Sequence, residues 1–241
     1  MKNKLIYSSH TDKGIREENQ DALLIMEEPL LFAIADGMGG GCYGSRVAQL
    51  TLEALKEEFS EINSHSLEYC YYLLQKKIQQ ISNYVYRLSC EKGCTMGTTL
   101  SAAVFKDDCI LIGNVGDTWI CRVRNKEFKV MSKVHSIAGE LYDKGLINYE
   151  EYRNHDKKHV LTQAIGTSDK ITPYLAIEKV NEGDVYILCS DGVYNFISIE
   201  EMSKIIAQAK DDLKNACTQI VKTASQNGSS DNMSIVIIRI V

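Results

Sequence analysis

Three aspartates in this chain each come just after a short apolar run. Asp36 follows LLFAIA, Asp191 follows DVYILCS, and Asp117 follows CILIGNV with one glycine between. A strand holds the backbone of its last residue rigidly while the side chain is exposed in the following loop, so several strand ends can converge on one cleft. Clustered carboxylates repel one another. A shared site therefore requires cations that prefer oxygen ligands, such as Mg²⁺ or Mn²⁺.

Each of these aspartates also has a simpler interpretation. Asp-Gly is a common turn signal, and both Asp36 and Asp191 precede a glycine. For any single pair, a turn is the better interpretation. Three aspartates that each follow a strand-like run favour the shared metal site instead.

Short strands and amphipathic helices are predicted to carry these side chains. Strand-like apolar runs occur at 4–10, 22–26, 30–35, 109–115, 119–123, 184–190 and 234–241. Apolar residues recur with helical spacing at 45–59, 67–88 and 213–224, and the last helix is predicted to end at Gly228. Clusters of strands separated by paired helices differ from the regular alternation of a parallel doubly wound sheet. The pattern predicts an α+β fold with largely antiparallel sheets.

The composition is that of an ordinary globular protein. The chain has 241 residues, a net charge of −5 and two prolines, with no internal repeat, which predicts a single domain over 1–241. The net negative charge differs from the positive surface charge that is typical of nucleic-acid-binding proteins. No apolar run reaches the length of a signal peptide or a membrane span, so we expect no membrane association and a cytoplasmic location. None of the eight cysteines forms a CxxC pair, so the usual zinc spacing is missing.

Six short motifs occur together in a fixed order. They are Arg16-Glu-Glu-Asn-Gln-Asp21, Ala35-Asp-Gly-Met-Gly-Gly40, Gly97-Thr-Thr99, Gly113-Asn-Val-Gly-Asp117, Ser190-Asp-Gly192 and Ser230-Asp-Asn232. Taken together, over nearly the whole chain, they resemble the metal-dependent serine/threonine protein phosphatases of type 2C in their short bacterial form. One motif alone is weak evidence, whereas the ordered set is specific. The resemblance implies a four-layer αββα sandwich, with two mostly antiparallel sheets flanked by helix pairs.

The resemblance also implies metal-binding roles for the acidic motifs. Asp36 would bridge two Mn²⁺ or Mg²⁺ ions. Asp191 and Asp231 would complete the shell of the first ion. The carbonyl of Gly37 would bind the second ion, and Asp21 would hold its waters.

Two further roles and the chemistry follow from the same resemblance. Asp117, with Asp191, would form a weaker third metal site, and Arg16 would bind the substrate phosphate through two parallel hydrogen bonds. Two cations roughly 3.5–4 Å apart can hold a water as hydroxide and screen the phosphoryl oxygens, so no side-chain nucleophile is needed. The implied activity is hydrolysis of phosphoserine and phosphothreonine, with Arg16, Asp36 and Asp191 as catalytic residues. Phosphorylated proteins as substrates, a cognate Ser/Thr kinase and a monomeric state are expected.

Two departures from the family concern the proton donor to the leaving group. Many animal members have histidine where Met38 stands, and many bacterial members have it where Gly41 stands, but this chain has neither. A metal-bound water near Asp117 is our hypothesis for the donor. The five histidines lie outside the acidic motifs and are interpreted as surface or structural residues. The segment 135–162 resembles the family's flap, a mobile insertion beside the cleft, although an ordinary surface helix and turn is also compatible with it.

Three other functions fit parts of the sequence. The run 39–44 formally matches the GxGxxG of dinucleotide-binding proteins, but no strand ending in an acid follows about 20 residues later. An aspartyl-phosphate hydrolase needs a second aspartate two residues after the nucleophile, where Met38 and Val193 stand. A catalytically weak or inactive phosphoprotein-binding relative is the main alternative, and the presence of every predicted ligand argues against it.

Overall fold

The computed structural model describes residues 4–39, 43–60 and 66–241. Within these ranges the strands are β1 (Leu5–Asp12), β2 (Asp21–Met26), β3 (Leu30–Met38), β4 (Gly97–Thr98), β5 (Leu100–Lys106), β6 (Cys109–Val115), β7 (Trp119–Arg124), β8 (Glu127–Val130), β9 (Tyr174–Lys179), β10 (Val185–Cys189) and β11 (Met233–Ile240). The helices are α1 (Tyr43–Ser60), α2 (Leu67–Lys92), α3 (Ile137–Asp143), α4 (Tyr149–Asn154), α5 (Asp191–Tyr194), α6 (Ile199–Ala209) and α7 (Leu213–Gln226). Gly41, and with it the middle of the 39–44 run, lies outside the described residues.

The strands form two antiparallel sheets that pack face to face. One has the order β1-β11-β10-β7-β8, and the other has the order β2-β3-β5-β6-β9 with the short β4 paired to β3. Helices α1 and α2 cover the second sheet, and α5, α6 and α7 cover the first. The predicted α+β sandwich of four layers is confirmed. No helix in the described ranges is long and apolar enough to cross a membrane.

The layer between the sheets is built by the period-2 alternation of strand side chains. On β3, Leu31 and Ala33 pack under the helices, whereas Phe32 and Ile34 face the other sheet. A row of edge-to-face rings crosses this layer, with centroids 5.7 Å apart for Phe32 and Phe105 and 5.3 Å apart for Phe105 and Tyr186. Burial of these rings ties the two sheets together.

At one end of this layer, polar side chains replace the apolar ones. On β3, alternation places Asp36 on the same face as Phe32 and Ile34, one step beyond them. On other strands too, the position two residues beyond the apolar inter-sheet residues is polar. These are Asp21, Ser101, Asn114, Ser190 and Ser234. The fold therefore gathers polar groups from distant parts of the chain at one end of an otherwise apolar layer.

An ion pair beside β10 joins strands away from this polar end. Arg124 donates from Nε and Nη2 to the two carboxylate oxygens of Asp184, at 2.7 and 2.6 Å. The amide of Asn181 (2.8 Å) and the hydroxyl of Tyr186 (3.2 Å) also donate to Asp184. Burial by itself raises the pKa of Asp184, but these hydrogen bonds outweigh burial and hold that pKa below its ordinary value.

The stability that this ion pair contributes to the fold is lost in acid. Because the pKa of Asp184 is lower in the folded state, its stabilising contribution is present above the unfolded pKa of about 4 and is lost as the pH falls. We expect Arg124→Met to lower the free energy of unfolding by about 2 kcal/mol at pH 7, less than for a fully buried pair because Arg124 is partly exposed. Urea unfolding at neutral pH and below about pH 4 measures the difference. A difference that does not shrink in acid, or an equal loss in the exposed control Lys126→Met, would contradict the assignment.

Candidate active site

The polar end of the inter-sheet layer opens into a cleft of about 1110 Å³. Six of the seven predicted site residues line this cleft. They are Arg16, Asp36, Gly37, Asp117, Asp191 and Asp231. The seventh, Asp21, lies directly across the β2–β3 pair from Asp36 but is not part of the cleft lining.

Asp36 lies on the floor of the cleft, and its backbone is fixed by two threonines. Its amide donates to Thr99 Oγ1 at 3.0 Å, and its carbonyl accepts from the Thr99 amide and from Thr98 Oγ1, both at 2.9 Å. Thr99 Oγ1 lies 2.6 Å from Thr118 Oγ1. These contacts hold the end of β3 against the loop that carries Asp117. The Gly-Thr-Thr motif thus has a positioning role that its sequence did not reveal.

The carboxylates of this site are energetically unfavourable neighbours. Burial raises the pKa of Asp36 well above its ordinary value, and the charges of Asp21, Asp191, Asp117 and Asp231 raise it further. Burial, followed by the charge of Asp191, likewise raises the pKa of Asp117. Asp36 is partly accessible from the cleft although protein surrounds it on the other sides. Such a group of acids is poorly compensated by the protein alone.

Asp21 carries the clearest sign of an unmet polar requirement. Its Oδ2 accepts a hydrogen bond from Ser190 Oγ at 2.8 Å, whereas its Oδ1 is buried and has no hydrogen-bond partner among the residues that the structure describes. Burial raises the pKa of Asp21 to about 7, against the hydrogen bonds of Ser234 and Ser190 that lower it. A buried carboxylate oxygen without a donor suits a site where a cation or its bound water lies nearby.

Arg16 and His159 contact the acidic cluster from the rim. Arg16 donates from Nη2 to Asp231 Oδ2 and from Nε to the carbonyl of Ser230, both at 3.0 Å. On the other side, His159 Nδ1 lies 3.6 Å from Asp191 Oδ2. His159 belongs to the segment 135–162, whose resemblance to a flap placed the segment beside the cleft but did not single out His159 as a residue that lines it.

The donor set fits hard divalent cations. Every predicted side-chain ligand is a carboxylate, and oxygen ligands suit Mg²⁺ and Mn²⁺. Among the described residues, no three Asp, Glu, His or Cys side chains are already arranged as a metal site. Asp231 is turned toward Arg16 and Asp191 lies beside His159, so these two carboxylates would have to turn inward to share an ion.

Two glycines allow backbone segments of the site to approach closely. A Cβ atom on Gly37 would lie 2.2 Å from the carbonyl oxygen of Gly44 and 2.8 Å from that of Gln20. A Cβ atom on Gly192 would lie 2.0 Å from the carbonyl oxygen of Asn232. Any larger residue would push apart the chain segments that carry the aspartates. Both glycines are therefore required by packing.

The amide side chain of Asn232 holds the loop that carries Arg16. Its Nδ2 donates to the carbonyls of Lys13 and Glu18, at 2.9 and 3.0 Å, and its Oδ1 accepts from the amide of Gln20 at 2.8 Å. Asn232 is buried. Its place in the last motif marked it as notable, but its partners lie more than 200 residues away in the sequence.

The order of the motifs and the site they build agree with one known family. Residues 8–235 match the family model of protein phosphatase 2C. The chain belongs to the protein phosphatase 2C family. The resemblance carried by the six motifs is thereby confirmed. Those motifs come together at the polar cleft of this phosphatase 2C protein.

Individual relatives of this phosphatase 2C protein are bacterial. It is 29% identical over 236 residues to the serine/threonine phosphatase stp of Listeria monocytogenes serotype 4b (strain F2365), covering 95% of this chain and 93% of the relative. It superposes on serine/threonine phosphatase Stp1 from Staphylococcus aureus with a TM-score of 0.92 and 26% identity, covering 99% and 96% of the two chains. The catalytic domain of the serine threonine protein phosphatase PstP, solved in complex with two manganese ions, gives a TM-score of 0.85 and 25% identity, covering 98% of each chain.

Proposed function

We propose that this phosphatase 2C protein hydrolyses phosphoserine and phosphothreonine on proteins at a site that holds two Mn²⁺ or Mg²⁺ ions. The observation that carries the proposal is the convergence of four aspartates and one arginine on a single cleft. Carboxylates are the ligands that hard cations prefer, and a guanidinium matches the oxygens of a phosphate. The protein neighbours alone leave the acids of this site poorly compensated, which is the condition that bound cations relieve.

Within this proposal, each predicted ligand keeps a distinct position. Asp36, on the floor of the cleft, would contact both ions, and Asp191 and Asp231 would complete the first shell. The carbonyl of Gly37 and the waters held by Asp21 would serve the second ion. When bound, the ions supply a water of lowered pKa and neutralise charge on the phosphoryl oxygens.

A weaker third ion is proposed at Asp117 together with Asp191. The support for this is electrostatic, because the charge of Asp191 raises the pKa of Asp117 more than any other neighbouring group does. We further propose that the whole chain, 1–241, acts as one phosphatase domain with residues 135–162 as its flap segment. His159 and Leu161 of this segment line the cleft, which is where a flap would contact the substrate.

Arg16 is expected to bind the phosphate, and its replacement by lysine should weaken substrate binding. A lysine provides one ammonium in place of two parallel N–H donors, so we expect Arg16→Lys to raise the KM for a phosphothreonine peptide about tenfold. The free energy of unfolding should change by less than about 0.5 kcal/mol, because the Arg16–Asp231 pair is exposed. Steady-state kinetics with Mn²⁺ measures the effect, with the exposed Arg87→Lys as the control. An unchanged KM would remove Arg16 from the phosphate site.

Asn232 is expected to act indirectly, by positioning the Arg16 loop. Asn232→Ala removes three hydrogen bonds to that loop, so we expect the KM to rise about tenfold and the free energy of unfolding to fall by about 2 kcal/mol. The control is Asn227→Ala, which loses one exposed hydrogen bond to the carbonyl of Phe196. Loss of stability with an unchanged KM would show that Asn232 supports the fold without positioning Arg16.

A peptide panel tests the proposed substrate class. One sequence is prepared with phosphoserine, phosphothreonine or phosphotyrosine at its centre, and phosphate release is measured with the full chain and Mn²⁺. We expect release from the first two peptides. Release from the phosphotyrosine peptide alone would contradict the proposal, and binding of all three without release would favour the inactive, phosphoprotein-binding alternative.

The cellular setting is proposed on the same basis. Phosphorylated proteins are the substrates, and a Ser/Thr kinase that makes them is the expected counterpart. We propose a cytoplasmic location and a monomeric state. Co-purification of a dimer from the cell, measured by light scattering, would contradict the monomer.

A further inference from the structure

A second cavity, of about 340 Å³, lies between the flap segment and the β7–β8 hairpin. Among the described residues, none that lines the active-site cleft also lines this cavity. Its size is that of a small-molecule site. The aromatic residues of its wall are Trp119, Phe128, Tyr142, Tyr149 and Tyr152. We call it the aromatic cavity.

The three tyrosines of the aromatic cavity form one cluster. The ring centroid of Tyr142 lies 5.6 Å from that of Tyr152 and 6.1 Å from that of Tyr149. Tyr152 is buried, whereas Tyr142 and Tyr149 are 43% and 37% exposed. The cavity therefore has a buried aromatic floor and a mouth at which two tyrosine rings remain open to solvent.

Two charged residues, Asp143 and Lys129, line the aromatic cavity. Asp143 lines the cavity, and its ion pair with Lys133 is long, 3.6 Å, with both side chains well exposed, so the pair is weak. Lys129 also borders the cavity, but Phe128 and Val130 on either side pack into the core beneath the helices. Strand alternation therefore turns the Lys129 side chain to the opposite face of the hairpin.

We propose that the aromatic cavity is a binding site for a small organic ammonium ion. Aromatic rings present negative faces that attract cations, and ammonium groups are bound between such rings. The carboxylate of Asp143 adds attraction of the same sign at the mouth. An anionic ligand of the same shape would meet repulsion from Asp143, and a neutral one would gain only the burial of its apolar surface.

The floor of the aromatic cavity connects to the active site. The indole of Trp119 stacks on the ring of Tyr194, with centroids 4.0 Å apart and planes within 2°. Tyr194 ends α5, which begins with Asp191, and its carbonyl accepts a hydrogen bond from Arg153 of the flap segment. A ligand bound against Trp119 and Tyr152 would therefore contact the side chain that packs on α5, the helix that begins at Asp191. We expect binding of the ligand to change the rate of phosphate release.

The test uses three probes that share a benzene ring and differ in charge. Benzyltrimethylammonium, benzyl alcohol and benzoate are titrated into the Mg²⁺-loaded full chain, and fluorescence is followed from Trp119, the only tryptophan. We expect saturable binding of the ammonium probe, with dissociation constants at least about fivefold higher for benzyl alcohol and at least about tenfold higher for benzoate. Equal binding of all three probes, or no saturable change, would overturn the proposal.

Two variants and one control locate the binding. Asp143→Asn and Tyr149→Leu should each weaken the ammonium probe at least about threefold, while Asp156→Asn, an exposed carboxylate of the same segment that does not line the cavity, should not. Insensitivity to both variants would place the probe elsewhere and overturn the site. Phosphate release at saturating probe should change at least twofold in the wild type, and the probe concentration that gives half of this change should be at least about threefold higher in Asp143→Asn. Selective binding without that change would overturn the connection to the active site.

Discussion

Replacing Asp36 with asparagine is expected to abolish nearly all phosphatase activity while making the metal-free protein more stable. Asparagine keeps the size of the side chain but removes the charge that would contact both ions, so we expect kcat to fall at least about a thousandfold. Burial and four neighbouring carboxylates oppose the charge of Asp36. Its removal should therefore raise the free energy of unfolding in EDTA by about 1–3 kcal/mol.

Metal should reverse this order of stability. Saturating Mn²⁺ binds the folded wild type and stabilises it, by about 2.7 kcal/mol at a hundred times the dissociation constant, whereas Asp36→Asn should gain little. Urea unfolding with EDTA and with Mn²⁺ gives both values. The control is Asp107→Asn, an exposed position at the β5–β6 turn. If Asp36→Asn were less stable than the wild type in EDTA, or if it kept more than a tenth of the activity, the account of Asp36 would be wrong.

Replacing Gly192 with alanine is expected to damage fold and activity together. The added methyl group would lie 2.0 Å from the carbonyl oxygen of Asn232 and 3.3 Å from Cβ of Asp231. Because the nearest obstacle is backbone, α5 must move away from the start of β11. We expect the free energy of unfolding to fall by at least about 3 kcal/mol. Asp191 and Asp231 would be pushed apart, so kcat/KM should fall about a hundredfold.

A second glycine separates this steric effect from the general cost of losing a glycine. Gly93 caps α2 in the left-handed region, at φ 62°, and a Cβ atom there would meet no atom of the described residues within 4 Å. Asparagine tolerates that conformation, so Gly93→Asn should cost about 1 kcal/mol or less and leave kcat/KM unchanged. Urea unfolding and peptide kinetics compare the two. A Gly192→Ala protein with wild-type stability would show that α5 and β11 can separate without strain.

The sequence was most informative where an apolar run ends in an acid. The runs before Asp36 and Asp191 are β3 and β10, and the alternation within β3 already places Asp36 on the inter-sheet face. The helical spacings at 45–59, 67–88 and 213–224 correspond to α1, α2 and α7, and α7 ends at Gln226, shortly before Gly228. These elements have strong local periodicity, which is the signal that sequence reasoning reads best.

Elements with weak local signals were not predicted. Strand β5 contains small residues in LSAAVFK, and β8 and β9 are edge strands with charged residues in EFKV and YLAIEK. Each is defined mainly by its partner strand. Helix α6 was not predicted either, although its sequence does carry a helical signal. Ser198 caps this helix, and Met202, Ile205 and Ile206 have helical spacing.

The supporting shell of the site depends on contacts that sequence cannot reveal. Asn232 holds the loop at 13–20, and the side chain of Thr99 fixes the backbone of Asp36, across 60 or more residues of chain. His159 lies in a polar segment with no motif, yet the fold brings it to Asp191. Such pairings follow from sheet register and from the packing of the flap segment, both of which are set by the whole fold.

Phosphate release from a phosphothreonine peptide is the most direct test of metal-dependent phosphatase activity in this cleft. The wild type, Asp191→Asn and Asp156→Asn are compared in MnCl₂ and in EDTA, after folding is checked by thermal unfolding. We expect turnover by the wild type and by Asp156→Asn in Mn²⁺, none in EDTA, and at least a hundredfold loss in Asp191→Asn. Turnover that persists in EDTA, or that survives the loss of the Asp191 carboxylate, would contradict a metal-dependent phosphatase built on this cleft.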